Sequence, residues 1–138
     1  MTPVDPTAPA PSPRPAPLVV AASLAGLEGA VLLLLAVLEA VSIDSDRVSL
    51  GLSTAIFFAL VGAAVLTCAA GLWRLRGWAR GPVLLAQLIA LGLAWNLRDY
   101  VLVALLLLVA GAVTLAGMLH PDTMRALGAL PAERPEEP

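Results

Sequence analysis

Four long apolar runs constrain this chain more than any other feature. They cover residues 18–41, 50–72, 81–97 and 100–119, and the last three contain no charged side chain. A helix needs about 20 residues to cross a hydrocarbon core roughly 30 Å thick. The third run is short unless it borrows from the preceding stretch Gly77-Trp78-Ala79-Arg80, so the expected spans are 18–41, 50–72, 79–97 and 100–119. Hydrophobic residues make up 59% of the 138 and charged ones 13%, and the mean hydropathy is +0.91. A soluble domain of that composition could not cover its surface with polar groups, whereas a lipid-embedded one need not. The expected fold is all-α, an antiparallel bundle of four transmembrane helices, because connections this short force neighbouring spans to run antiparallel.

Residues 1–17 carry seven prolines and are expected to form a disordered, Pro-rich cytoplasmic tail. Residues 120–138 are expected to form a second cytoplasmic tail, with a short interfacial helix within 122–130. A cleaved leader is not expected: the first apolar run exceeds the usual 7–15 residues, and no A-x-A site closes it. Asp99 is placed to cap the fourth helix, and Pro82 suits the first turn of the third.

Arginine placement sets the expected orientation. Arg14, Arg74, Arg76, Arg80, Arg125 and Arg134 fall on one side of a four-span chain, and Arg47 and Arg98 on the other. The excess puts both termini in the cytoplasm of a multi-pass cell-membrane protein. Trp73 and Trp78 then lie at the inner interface, and Trp95 and Tyr100 at the outer one, as an aromatic belt requires. Arg74, Arg76 and Arg80 form the densest basic cluster and are the expected contact with anionic lipid headgroups.

Glu28 is the deepest charge, roughly 15 Å into the first span at 1.5 Å per residue. A carboxylate near the midplane costs about 2.5–3.5 kcal/mol on insertion scales, so it should face the bundle interior. Gln87 lies in the same half of the membrane, and a hydrogen bond between them would satisfy both groups. Glu39, almost three turns after Glu28, shares its face but lies near enough to water to meet Arg47 or Arg98. Glu28, Gln87 and Glu39 are therefore the candidate buried polar site.

Small residues recur at every fourth position of the second span: Gly51, Ala55, Ala59, Ala63, Thr67 and Gly71. Such a ridge lets another backbone approach closely in lipid, within the bundle or from a partner. Ala21, Ala25 and Gly29 repeat the device on the first span, and Ala86, Ala90 and Ala94 on the third. The lone cysteine, Cys68, reads as a small core residue. No nucleophile–base arrangement, phosphate loop or metal-ligand spacing is present, so neither enzymatic activity nor a cofactor is expected. With a net charge of −2, no nucleic-acid partner is expected either. The expected partners are the bilayer, other membrane proteins or further copies of the chain.

The run Arg76-Gly77-Trp78-Ala79-Arg80-Gly81-Pro82, followed by Gln87-Leu88, resembles a pattern in small four-span integral membrane proteins of actinobacteria. That resemblance implies topology and a bacterial source, and no activity. Glu28 within Leu24-Ala25-Gly26-Leu27-Glu28-Gly29 is also similar in placement to the embedded glutamate of small multidrug-resistance transporters. The surrounding pattern and the Pro-rich tail depart from that family. Two functions follow as expectations: a non-enzymatic membrane component that packs with partners or itself, and a small proton-coupled transporter using Glu28.

Overall fold

The computed structural model describes residues 14–42 and 48–131. Among them, four helices are long and apolar enough to span a membrane. They are α1 (Ala16–Val41), α2 (Val48–Trp73), α3 (Arg80–Asn96) and α4 (Val101–Leu119), followed by a short α5 (Pro121–Ala126). A single 3-10 turn at Gly77–Ala79 runs directly into α3. Together they form one 20-residue apolar unit, Gly77–Asn96. The described residues hold no strand. The chain is an all-α bundle and a multi-pass integral membrane protein.

Helix α1 starts at Ala16, two residues inside the stretch read as tail. Pro17 falls in its first turn, where a missing N–H costs no helical hydrogen bond. The rest of the expected Pro-rich tail, residues 1–13, lies outside the described residues, as do the loop 43–47 with Arg47 and the end of the chain, 132–138. Helix α4 is capped by Tyr100 without a side-chain hydrogen bond, so Asp99 does not serve as its cap. The loop spends one more residue in the turn, where the Tyr100 amide donates to Leu97 O at 2.9 Å.

The bundle is two hairpins. Helix α1 packs most extensively on α2, and α3 on α4; α1 and α4 join the pairs, while α2 and α3 barely meet. The α1–α2 contact is close because it is built on glycine. A Cβ on Gly29 would fall 2.9 Å from Leu66 N and 3.0 Å from Gly62 O, and one on Gly62 would fall 3.0 Å from Gly29 O. Seven residues to either side of these glycines stand buried alanines: Ala22 and Ala36 on α1, Ala55 and Ala69 on α2. The two rows face each other across the antiparallel pair, where a Cβ on Gly26 would lie 3.8 Å from Ala69 Cβ. A seven-residue step drifts only about 20° around a helix, so the seam stays on one face.

The core sits toward the end of the bundle that carries both termini. There Leu18, Ala21, Ala25, Leu72, Val83 and Met118 are buried together. Large side chains such as Leu27, Leu60, Leu102 and Leu106 point outward, as they should where lipid is the solvent. At the same end α2 closes with a Schellman turn. Arg76 N donates to Gly71 O and Leu75 N to Leu72 O, both at 2.9 Å, with Leu75 held at φ 55°. This position usually goes to glycine because an L side chain in the left-handed region costs about 1–2 kcal/mol. Leu75 offsets that cost by packing on the core. The Arg14 guanidinium tethers the incoming chain here: its Nε donates to Trp73 O at 2.7 Å and its charge lies 5.6 Å from the Trp73 ring centre.

Candidate functional site

Glu28 on α1 and Gln87 on α3 meet across the bundle. Gln87 Nε2 donates to Glu28 Oε2 at 2.6 Å. Gln87 is fully buried, at 0% exposure, and Glu28 is partly buried. The bond joins the two hairpins diagonally, since α1 and α3 are not packed neighbours. The other carboxamide atom, Gln87 Oε1, faces α4: a Cβ placed on Gly111 would lie 3.5 Å from it. Thus Gln87 spans from α1 to α4, with a residue lacking a side chain beside its oxygen.

Thr114 completes this part of the interior and was not singled out by the sequence reading. It lies one turn from Gly111 on the buried face of α4 and is itself 0% exposed. The available signal was that Thr114 is the only polar side chain in Val101–Leu119. Glu39, by contrast, lies about 16 Å farther along α1 by helix rise, half-buried, and is not brought to Gln87. Arg98, one of its expected neighbours, stacks on Trp95 with its charge 5.7 Å from the ring centre.

The six small residues of α2 do not share one environment. Ala55 and Gly71 are buried, Gly51 and Ala59 half-buried, and Ala63 and Thr67 exposed. A four-residue step overshoots a turn by about 40°, so five steps wind more than halfway around the helix. Gly71 is covered by the Trp78 ring rather than by α1, as a Cβ there would meet Trp78 Cζ2 at 3.2 Å. Ala21, Ala25 and Gly29 are all buried, while on α3 Ala94 is buried and Ala86 and Ala90 are half-buried.

Two open recesses mark the ends of the bundle. One, of about 250 Å³, is lined by Thr67, Ala70, Gly71, Arg74, Arg76 and Trp78. It brings Arg74 and Arg76 together beside Trp78. Arg80 is not part of it; it is half-buried, and its Nε is enclosed without a hydrogen-bond partner. The other recess, about 260 Å³, lies between α3 and α4 at the far end and is almost wholly apolar, with Arg98 at its mouth. His120 caps α5, its Nδ1 accepting from Asp122 N at 3.3 Å, and Asp122 pairs with Arg125 at 3.0 Å. Among the described residues no group of three His, Cys, Asp or Glu side chains could hold a metal ion.

No protein-family model matches this chain, and no curated protein and no solved structure matches it.

Proposed function

We propose that this protein is a non-enzymatic membrane component that works by lateral packing, against another membrane protein or a second copy, through the face of α2 turned away from α1. One observation carries the reading. In the half of α2 nearer the termini, that face is made of the exposed small residues Ala63, Ala64, Thr67 and Ala70. Lipid tails are as apolar as leucine, so helices in a bilayer associate by close backbone approach rather than by hydrophobic burial. An alanine-lined strip permits such approach. The Thr67 hydroxyl is already satisfied by Ala63 O at 2.8 Å, so the strip asks for no polar partner. Arg74, Arg76 and Trp78 border it, and with the termini in the cytoplasm they would meet the anionic headgroups of that leaflet.

The test is photocrosslinking in native membranes, from a benzophenone maleimide attached to a single introduced cysteine in a Cys68→Ala background, with mass spectrometry of the products. Ala63→Cys and Ala70→Cys should each give a reproducible crosslinked species. Leu106→Cys, on the exposed face of α4, should give none. Monomer alone from both α2 positions would overturn the proposal.

The second reading is a small proton-coupled carrier using Glu28, favoured by the placement of that carboxyl inside the bundle on Gln87. Embedded ionisable groups commonly serve proton or ion relays. Proton flux into liposomes under a substrate panel should then differ between wild type and Glu28→Gln. Equal flux from both removes this reading.

A further inference from the structure

The recess beside the end of α2 is open to the outside and holds about 250 Å³. Small residues make the space: Thr67, Ala70 and Gly71 form its α2 wall. At Gly71 even a methyl carbon would lie 3.2 Å from Trp78 Cζ2, so the tryptophan ring closes the other side. Arg74 and Arg76 complete the lining.

These two arginines are uncommitted. Among the described residues neither guanidinium makes a hydrogen bond, ion pair or ring contact, whereas Arg14 is held by Trp73, Arg98 stacks on Trp95 and Arg125 pairs with Asp122. The Trp78 indole N–H can only donate, and it too has no acceptor among them. No carboxylate lines the recess. Asp122, the one described acid at this end of the bundle, is taken by Arg125 at 3.0 Å. Two guanidinium groups with no counter-charge favour an anion, and their planar forks match the oxygens of a phosphate group.

The recess has direction as well as charge. Thr67 precedes Arg74 by seven residues, about 10 Å along the helix, so the recess runs from a charged mouth toward the membrane interior. With α2 and α3 barely meeting, Thr67 and Ala70 stay exposed. The Thr67 hydroxyl is already spent on Ala63 O, which leaves this inner part apolar in effect. A free inorganic anion would use the charged end alone, whereas a phospholipid matches both parts. A zwitterionic headgroup brings an ammonium that unpaired guanidinium groups repel, so the favoured lipid is anionic.

We propose that this recess binds one anionic phospholipid, its phosphate held by Arg74, Arg76 and the Trp78 indole N–H, and an acyl chain lying along Ala70 and Thr67. The lipid takes the charged end of the α2 strip and leaves Ala63 and Ala64, which do not line the recess, to a packing partner. The site does not depend on that partner: lipid retention by a chain that gives no crosslinks leaves it standing.

Native mass spectrometry of the full chain, released from nanodiscs of equal phosphatidylglycerol and phosphatidylethanolamine, tests it. Both leaflets are alike, so orientation does not enter. The wild type should keep one phosphatidylglycerol in preference to phosphatidylethanolamine. Arg74→Gln and Arg76→Gln should each lower that retention about fivefold, the worth of one basic residue beside an anionic surface. Arg98→Gln, at the far end of the bundle, should leave it unchanged. Ala70→Phe keeps both charges and fills the recess, and it should also abolish retention. No preference for phosphatidylglycerol in the wild type overturns the proposal, as does wild-type retention in the arginine variants or in Ala70→Phe. Displacement of the lipid by millimolar inorganic phosphate overturns it too, because a free anion would then be the ligand.

Discussion

Gln87 donates to a carboxyl group that has little else to turn to, and this makes its replacement asymmetric. Removing Gln87 leaves Glu28 enclosed among apolar side chains, and an unsatisfied buried group costs about 1–3 kcal/mol. Removing both partners abolishes the debt, because no polar group is left to desolvate. Double-mutant cycles on hydrogen bonds in lipid average about 0.6 kcal/mol and reach about 1.7, so the pair itself contributes modestly. Gln87→Leu should thus destabilise by about 1–3 kcal/mol, and Glu28→Leu/Gln87→Leu should be more stable than Gln87→Leu alone. Reversible unfolding in mixed micelles measures both. A Gln87→Leu variant as stable as wild type would mean that the 2.6 Å contact bears no weight.

Between α1 and α2 the glycine crossing behaves as a unit. A Cβ on Gly29 or on Gly62 meets backbone atoms at 2.9–3.0 Å, and backbone cannot swing aside as a side-chain tip can. The helices must separate, which costs about 1–3 kcal/mol for either single alanine. Once they have separated, the second methyl finds room. Gly29→Ala/Gly62→Ala should therefore cost clearly less than the two singles added, the signature of coupled neighbours; strict additivity would show that the contact is looser than the geometry implies. The spans and the pairing of Glu28 with Gln87 were legible in the sequence because each rests on a scalar: apolar length in one case, depth along a helix in the other. The seam was not. An alanine-rich helix offers stripes at four-residue and seven-residue spacing at once, and only the partner's shape selects between them. Ala55, Gly62 and Ala69 became the inward face because Gly29 opposes Gly62, a pairing that no single-helix pattern contains. Thr114 was missed for a related reason: its burial depends on which face of α4 turns inward.

For the whole molecule the arginines predict which way the bundle points. Four crossings place both termini on one side, and the arginines then discriminate: Arg14, Arg74, Arg76, Arg80, Arg125 and Arg134 share that side, against Arg47 and Arg98. Positive charges near span ends resist translocation, so the richer side is expected to stay in the cytoplasm. In a Cys68→Ala background, a membrane-impermeant maleimide added to intact cells should label Asp99→Cys and leave Ala129→Cys untouched until the membrane is opened. The reverse pattern means that the chain is inverted. The turn between α2 and α3 should carry most of the decision, because Arg74, Arg76 and Arg80 lie within seven residues of one another. Replacing all three with glutamine leaves three arginines against two, a bias too slight to hold one orientation. Both cysteines should then be labelled in part on intact cells, a mixed topology that the wild-type chain should not show.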